Sequence, residues 1–120
     1  MTPVTGPRGP EEALRQELRR GTLVLAVLTS LRDERYGADL IAILAEADVL
    51  IEPGALYPML RRLEEQGLLT SEWRVEGGRR KRFYRASQAG SELAANLMND
   101  LVRMVGGLQA LRDNEHDSDR

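Results

Sequence analysis

One change of period decides what this chain can become. Apolar residues recur at helical spacing along most of it, but not between Leu68 and Ala86. There, Thr70-Ser-Glu-Trp-Arg-Val75 and Arg80-Lys-Arg-Phe-Tyr-Arg85 are rich in β-branched, aromatic and basic residues. They flank Glu76-Gly77-Gly78-Arg79. A Gly-Gly pair supplies the positive φ angles of a tight hairpin turn. The stretch therefore predicts one β-hairpin, with Glu76 facing Arg79 across the turn. Trp73, Phe83 and Tyr84 are expected to pack one face of this ribbon onto the rest. The other periodic segments read as helices, so the fold class is mainly α with a small β-hairpin.

Three helices precede the hairpin. Pro10 ahead of Glu11 and Glu12 suits a helix start, where carboxylates meet the positive end of the helix dipole. This helix runs from Glu11 to about Leu31, with Leu14, Leu18, Leu25 and Leu28 in one stripe and Gly21-Thr22 as a candidate break. Its second half, Thr22–Thr29, is apolar all round, as in a helix enclosed on most sides. After the charged turn Arg32-Asp-Glu-Arg35, a second helix spans Tyr36 to about Ala47, with Leu40, Ile41, Ile43 and Leu44 inward. A third follows Pro53-Gly54. Its Leu56, Leu60 and Leu63 share one face, and Gly67 is placed to end it in a left-handed conformation. The opposite face offers Tyr57, Arg61 and Arg62. Pro58 is expected in the first turn, where its missing N–H breaks no bond. Three helices on short turns, the third basic on its outer face, match a helix-turn-helix.

Ser87 is a candidate cap for a last helix, Gln88 to about Arg112. Leu93, Leu97, Leu101, Met104, Leu108 and Leu111 recur along it at steps of four, four, three, four and three, a coiled-coil-like seam. The seam can pack on the chain's own first helix, pair with a second copy, or do both. Pairing is the preferred reading, with Leu14 and Leu18 joining the contact. Gly106-Gly107 weakens this helix by up to roughly 2 kcal/mol relative to two alanines. Residues 1–10, rich in proline and glycine, read as a disordered arm. Residues 11–86 read as a winged helix-turn-helix domain, 87–112 as a C-terminal dimerisation helix, and 113–120 as a disordered acidic tail.

Composition narrows the function classes. The absence of cysteine removes disulfides, thiolate metal sites and thiol nucleophiles. The single histidine, His116, sits in the acidic tail and reads as a solvated residue, so no cofactor or metal is expected. No apolar run approaches the roughly 20 residues that span a bilayer. The N-terminus lacks the pattern of a signal peptide, so a cytoplasmic location with no membrane partner is expected. No nucleophile–base pair or phosphate-cradling loop suggests an enzyme.

The net charge of −2 argues against nucleic acid only until its distribution is considered. Pro53–Gly90 holds eight basic and four acidic residues, a local +4, whereas the remainder holds nine basic and fifteen acidic, −6. One basic region on an otherwise acidic chain is the pattern of a face that meets phosphates. The candidate DNA contacts are Gly54, Ala55, Tyr57, Pro58, Arg61 and Arg62 on the third helix, and Gly78, Arg79, Arg80, Lys81 and Arg82 on the hairpin. Gly54 and Ala55 keep the helix start slim, so a phosphate can approach the backbone. A run of cations on a hairpin is usually a solvated edge that blocks strand pairing. Its place straight after a recognition-like helix favours a phosphate or minor-groove contact. For Tyr36, packing at the turn and a hydroxyl aimed at a phosphate stand as equal readings. The competing function is a winged helix that contacts only other proteins.

Arg20-Gly-Thr-Leu23, Tyr36-Gly37, the run Gly54-Ala-Leu-Tyr-Pro-Met-Leu-Arg-Arg-Leu-Glu-Glu-Gln-Gly-Leu-Leu69, Gly77-Gly-Arg79, Phe83-Tyr84 and Ala89-Gly90 follow one another in a known order and spacing. The chain resembles PadR-type transcriptional regulators over about Arg19 to Gly90. The resemblance implies a winged helix-turn-helix homodimer that binds a palindromic operator in double-stranded DNA, usually as a repressor. It also implies release by a small, often aromatic, effector bound between the domain and the dimer helices. Members that sandwich flat drugs use a tryptophan in the last helix, which here has no aromatic residue. A hydrophobic effector would instead meet Leu97, Met98, Leu101 and Met104, an aliphatic and adaptable surface.

Overall fold

The computed structural model describes residues 9–114. The arm up to residue 8 and the tail from residue 115, His116 included, lie outside them. The elements run α1 (Pro10–Ser30), β1 (Arg35–Tyr36), α2 (Gly37–Glu46), α3 (Pro53–Glu65), β2 (Leu69–Glu76), β3 (Arg79–Ala86) and α4 (Gln88–Asp113). Pro10 is already helical, at the first turn of α1 beside Glu11 and Glu12. Asp113 still belongs to α4.

The candidate break at Gly21-Thr22 is no break. The Thr22 hydroxyl donates back to the carbonyls of Arg19 (3.0 Å) and Leu18 (3.4 Å), and α1 continues through it. Such back-bonding satisfies the threonine inside the helix instead of ending it. Gly106-Gly107 is likewise passed without interruption in α4.

The hairpin forms as its turn residues require. Gly77 and Gly78 take φ of 59° and 75°, and Glu76 pairs with Arg79. The sheet nevertheless has three strands in the order β1-β3-β2, because the two residues of β1 add antiparallel to β3, Tyr36 opposite Phe83. Strand alternation then separates the three aromatic side chains. Tyr84 is buried beneath the helices, and its neighbour Phe83 points to the other face, against Tyr36 at 5.9 Å. Trp73 shares the face of Tyr84 but lies nearer the tip, beyond the reach of the core, and is 49% exposed. The expectation that all three pack on the helices holds only for Tyr84.

The core joins Leu25, Val27, Leu28 and Leu31 of α1 with Leu40 and Leu44 of α2. The inner face of α3 adds Leu56, Met59, Leu60 and Leu63, and the hairpin base adds Leu69, Tyr84 and Ala86. α3 ends in a Schellman motif. Leu68 N–H donates to Leu63 O (2.9 Å) and Gly67 N–H to Glu64 O (3.0 Å), with Gly67 at φ 79°. Ser87 caps α4 by accepting from Gly90 N–H (3.0 Å), while its hydroxyl donates to the Gly67 carbonyl (2.6 Å). The end of α3, the start of β2 and the start of α4 are thus tied at one joint.

The seam of α4 divides in two. Leu93, Leu97 and Leu101 are half-buried against the core formed with α1. Met104, Leu108 and Leu111 are exposed, as are Leu14 and Leu18 on the leading half of α1. Among the described residues, no helix is long and apolar enough to cross a membrane.

Candidate nucleic-acid interface

α3 begins two residues earlier than a start after Pro53-Gly54 would place it. Pro53 occupies the first turn, and the Glu52 carbonyl accepts from Ala55 and Leu56 N–H, each at 2.9 Å. Pro58 therefore lies inside the helix rather than in its first turn, which corrects the expectation. It leaves the Gly54 carbonyl without its helical donor. Both residues are on the exposed side of α3, where water or a ligand can supply the missing bond. Gly54, Ala55, Pro58, Arg61 and Arg62 all lie on that side. A side chain at Gly54 would meet nothing within the chain, so the slim helix start answers to no internal packing demand.

Tyr57 departs from its expected role as a fully exposed contact. It is half-buried, and its ring lies over Gly37, where an added Cβ would sit 2.9 Å from Tyr57 Cε1. Burial first, and the neighbouring Tyr36 second, raise its phenol above the ordinary range, so it stays a neutral donor at physiological pH. Tyr36 serves the packing reading in part, since it sits against Phe83 with Lys81 Nζ 4.9 Å from its ring centre.

The hairpin stands beside α3 and encloses a cleft of about 310 Å³ with it. Tyr57 and Arg61 form the helix wall, and Trp73, Arg80, Lys81 and Tyr84 line the hairpin wall. Arg80 lies over Trp73 at 4.6 Å, a cation–π contact that holds the guanidinium at the cleft mouth. Gly78 and Arg79 form the exposed tip. Among the described residues, Arg61, Arg62, Arg79, Arg80 and Lys81 make no salt bridge.

Arg82 differs from the rest of the cationic run. Its side chain turns inward and pairs with Glu64 of α3 at 3.1 Å. Arg74 is also engaged, by Glu34 at 2.6 Å and Glu72 at 3.3 Å, which raises its already high pKa. Among the described residues, Arg61 and Arg62 on α3 and Arg79, Arg80 and Lys81 at the hairpin tip thus keep their charge unpaired, as do the more distant Arg32, Arg85 and Arg103. Trp73 was missed as a cleft residue, although counting alternate positions back from the Gly-Gly turn puts it on one face with Arg80 and Arg82.

The proposed effector residues do not form one group. Leu97, Leu101 and Met104 line a cleft of about 410 Å³ with Leu18 and Leu25 of α1. Met98, one helical step away, faces a different hollow of about 230 Å³ with Leu28 and Arg32.

Residues 24–96 match the transcriptional regulator PadR-like family. The chain belongs to this family. It is 45% identical over 99 residues to the transcriptional regulator Rv3488 of Mycobacterium tuberculosis, covering 79% of this chain and 92% of that one. A PadR family transcriptional regulator from Eggerthella lenta superposes with a TM-score of 0.75 at 39% identity, covering 82% of this chain and 88% of the other. The PadR protein of Bacillus subtilis, solved in complex with operator DNA, shares the fold at 23% identity and a TM-score of 0.61, covering 66% of this chain and 46% of that one. The PadR-like winged helix accounts for the three-stranded sheet, with β2–β3 as wing beside α3. These relatives are transcriptional regulators rather than enzymes, and they lend no support to a winged helix that contacts only proteins.

Proposed function

We propose that two copies of this chain bind a palindromic operator and repress transcription from it. The observation that carries this reading is the cleft between α3 and the wing, lined by the unpaired Arg61, Arg80 and Lys81, with the unpaired Arg62 on the exposed side of α3 and Arg79 at the wing tip. Each copy would place α3 in a major groove, with the two grooves about 34 Å apart along one face of the duplex. Tyr57 and Arg61 would contact bases or backbone, Arg62 the backbone, and Gly78, Arg79, Arg80 and Lys81 the flanking phosphates or minor groove. The Bacillus subtilis relative, bound to operator DNA, supports the mode. The exposed Leu14, Leu18, Met104, Leu108 and Leu111 would be covered in the homodimer. A small hydrophobic effector would enter between α1 and α4 beside Leu97, Leu101 and Met104, where the dimer contact begins.

Duplexes enriched by the protein from random-sequence DNA provide the test, with affinity followed against salt. Replacing both Arg79 and Arg80 by alanine removes four phosphate contacts from a dimer. The slope of log affinity against log salt should then flatten by about 3 to 4. An unchanged slope contradicts the role of the wing. Arg61→Ala should cost about 1–3 kcal/mol and relax preference at one base position in each half-site. A uniform loss at every position would make Arg61 a backbone contact instead.

A further inference from the structure

We propose that Glu64, an acidic residue at the heart of the basic face, is a positioning residue that sets the wing against the recognition helix. The inference rests on the DNA-binding reading above. Glu64 lies in the last turn of α3 and is the point from which that helix grips both strands of the hairpin. Its carboxylate accepts from the Ser71 hydroxyl on β2 at 2.7 Å and from Arg82 Nη2 on β3 at 3.1 Å. Arg82 Nε donates to the Ser71 oxygen at 3.0 Å, which closes the ring. Three elements are therefore joined by three hydrogen bonds, one of them an ion pair. Glu64 and Arg82 side chains are 29% and 38% exposed, so the pair is only partly screened by water.

The place of this ring along the hairpin matters. Below it, Leu69, Tyr84 and Ala86 anchor the ribbon in the core. Above it, Trp73 and Val75 are exposed, and Arg79, Arg80 and Lys81 make no salt bridge among the described residues. The ring is the last tie between α3 and the wing before the segment that would meet DNA. It also places Arg82, the direct cross-strand partner of Trp73, 5.3 Å from that ring's centre, with Arg80 on the same face one pair nearer the tip.

Simple Coulomb reasoning makes the opposite prediction. A carboxylate between two phosphate-binding elements repels DNA, so neutralising it should tighten binding and steepen the salt dependence. If Glu64 instead fixes the angle of the wing, its loss misplaces the tip relative to the bases read by α3. Specific binding then falls, while non-specific binding, which tolerates a loose wing, does not.

The test compares wild type, Glu64→Gln and Ser71→Ala on a duplex enriched by the wild type and on a random duplex of equal length. Glu64→Gln should lose roughly tenfold on the enriched duplex and stay within about twofold on the random one, the size of a coupling between contacting groups. Ser71→Ala changes no charge and should lose roughly threefold on the enriched duplex only. The emission of Trp73, the single tryptophan, should shift in Glu64→Gln without DNA, as Arg82 is released. If Glu64→Gln binds the enriched duplex as tightly as wild type or more tightly, the positioning role falls alone. An equal loss on both duplexes with a lowered unfolding midpoint would make Glu64 merely structural and also overturn it. If the wild type enriches no duplex, the DNA-binding reading falls and takes this one with it.

Discussion

Glutamate at both Leu108 and Leu111 should split the dimer and cost at least a hundredfold in operator affinity without unfolding the subunit. Within one chain these side chains are 61% and 67% exposed, so the substitutions remove little internal packing. In a paired seam the same positions would bury four carboxylates per dimer with no partner, which proteins do not tolerate. Loss of the second half-site then removes the avidity of a linked pair, worth roughly 10²–10⁴ in affinity. Light scattering after gel filtration should report the 13.4 kDa of one chain. Helical circular dichroism should be retained. A variant that stays dimeric would move the dimer contact elsewhere.

The largest effect on stability is expected at Gly90. This residue lies in the first turn of α4, where the helix crosses the start of β2. An added methyl group would overlap the carbonyl oxygen of Leu68 and sit 3.0 Å from its carbonyl carbon. The obstacle is backbone, and that backbone is itself held. Leu68 O accepts from Ser87 N–H (3.0 Å), and Ser87 Oγ donates to Gly67 O (2.6 Å). Relief would require breaking the joint between α3, β2 and α4. Gly90→Ala should therefore cost about 3 kcal/mol, a fall in melting temperature on the order of 15 °C. Urea unfolding of both proteins at one concentration measures it, since the proposed dimerisation would make stability depend on concentration. A loss below about 1 kcal/mol would mean that the joint yields more easily than its bonds imply. The same Gly90 marks where β2, α3 and α4 share one support.

Much of this arrangement was legible in the chain because its signals are local. Leu56, Leu60 and Leu63 declared the buried face of α3, Gly67 its end, Gly77-Gly78 the turn of the wing, and Ser87 the cap of α4. What was not legible depends on partners distant in sequence. β1 is two residues long and exists only because β3 offers it an edge. Arg82 reads as one more cation in a basic run until α3 brings Glu64 to within 3.1 Å. Tyr57 reads as an exposed contact until the absence of a side chain at Gly37 lets its ring settle there. Pro58 is a local error by contrast: the helix starts at Pro53 rather than after Gly54, which is enough to carry Pro58 past the first turn. For Arg82 and Tyr57 the local pattern gave the element, and a tertiary neighbour decided the role of the side chain; for β1 the neighbour decided the element itself.

The central claim is that α3 and the wing of two copies read DNA together. Hydroxyl-radical footprinting on an enriched duplex tests it most directly. Two protected patches related by a dyad are expected, centred about 34 Å apart on one face of the duplex. Each patch should be flanked by wing protection that Arg79→Ala and Arg80→Ala remove. A single patch, or protection unchanged by the wing substitutions, would contradict it.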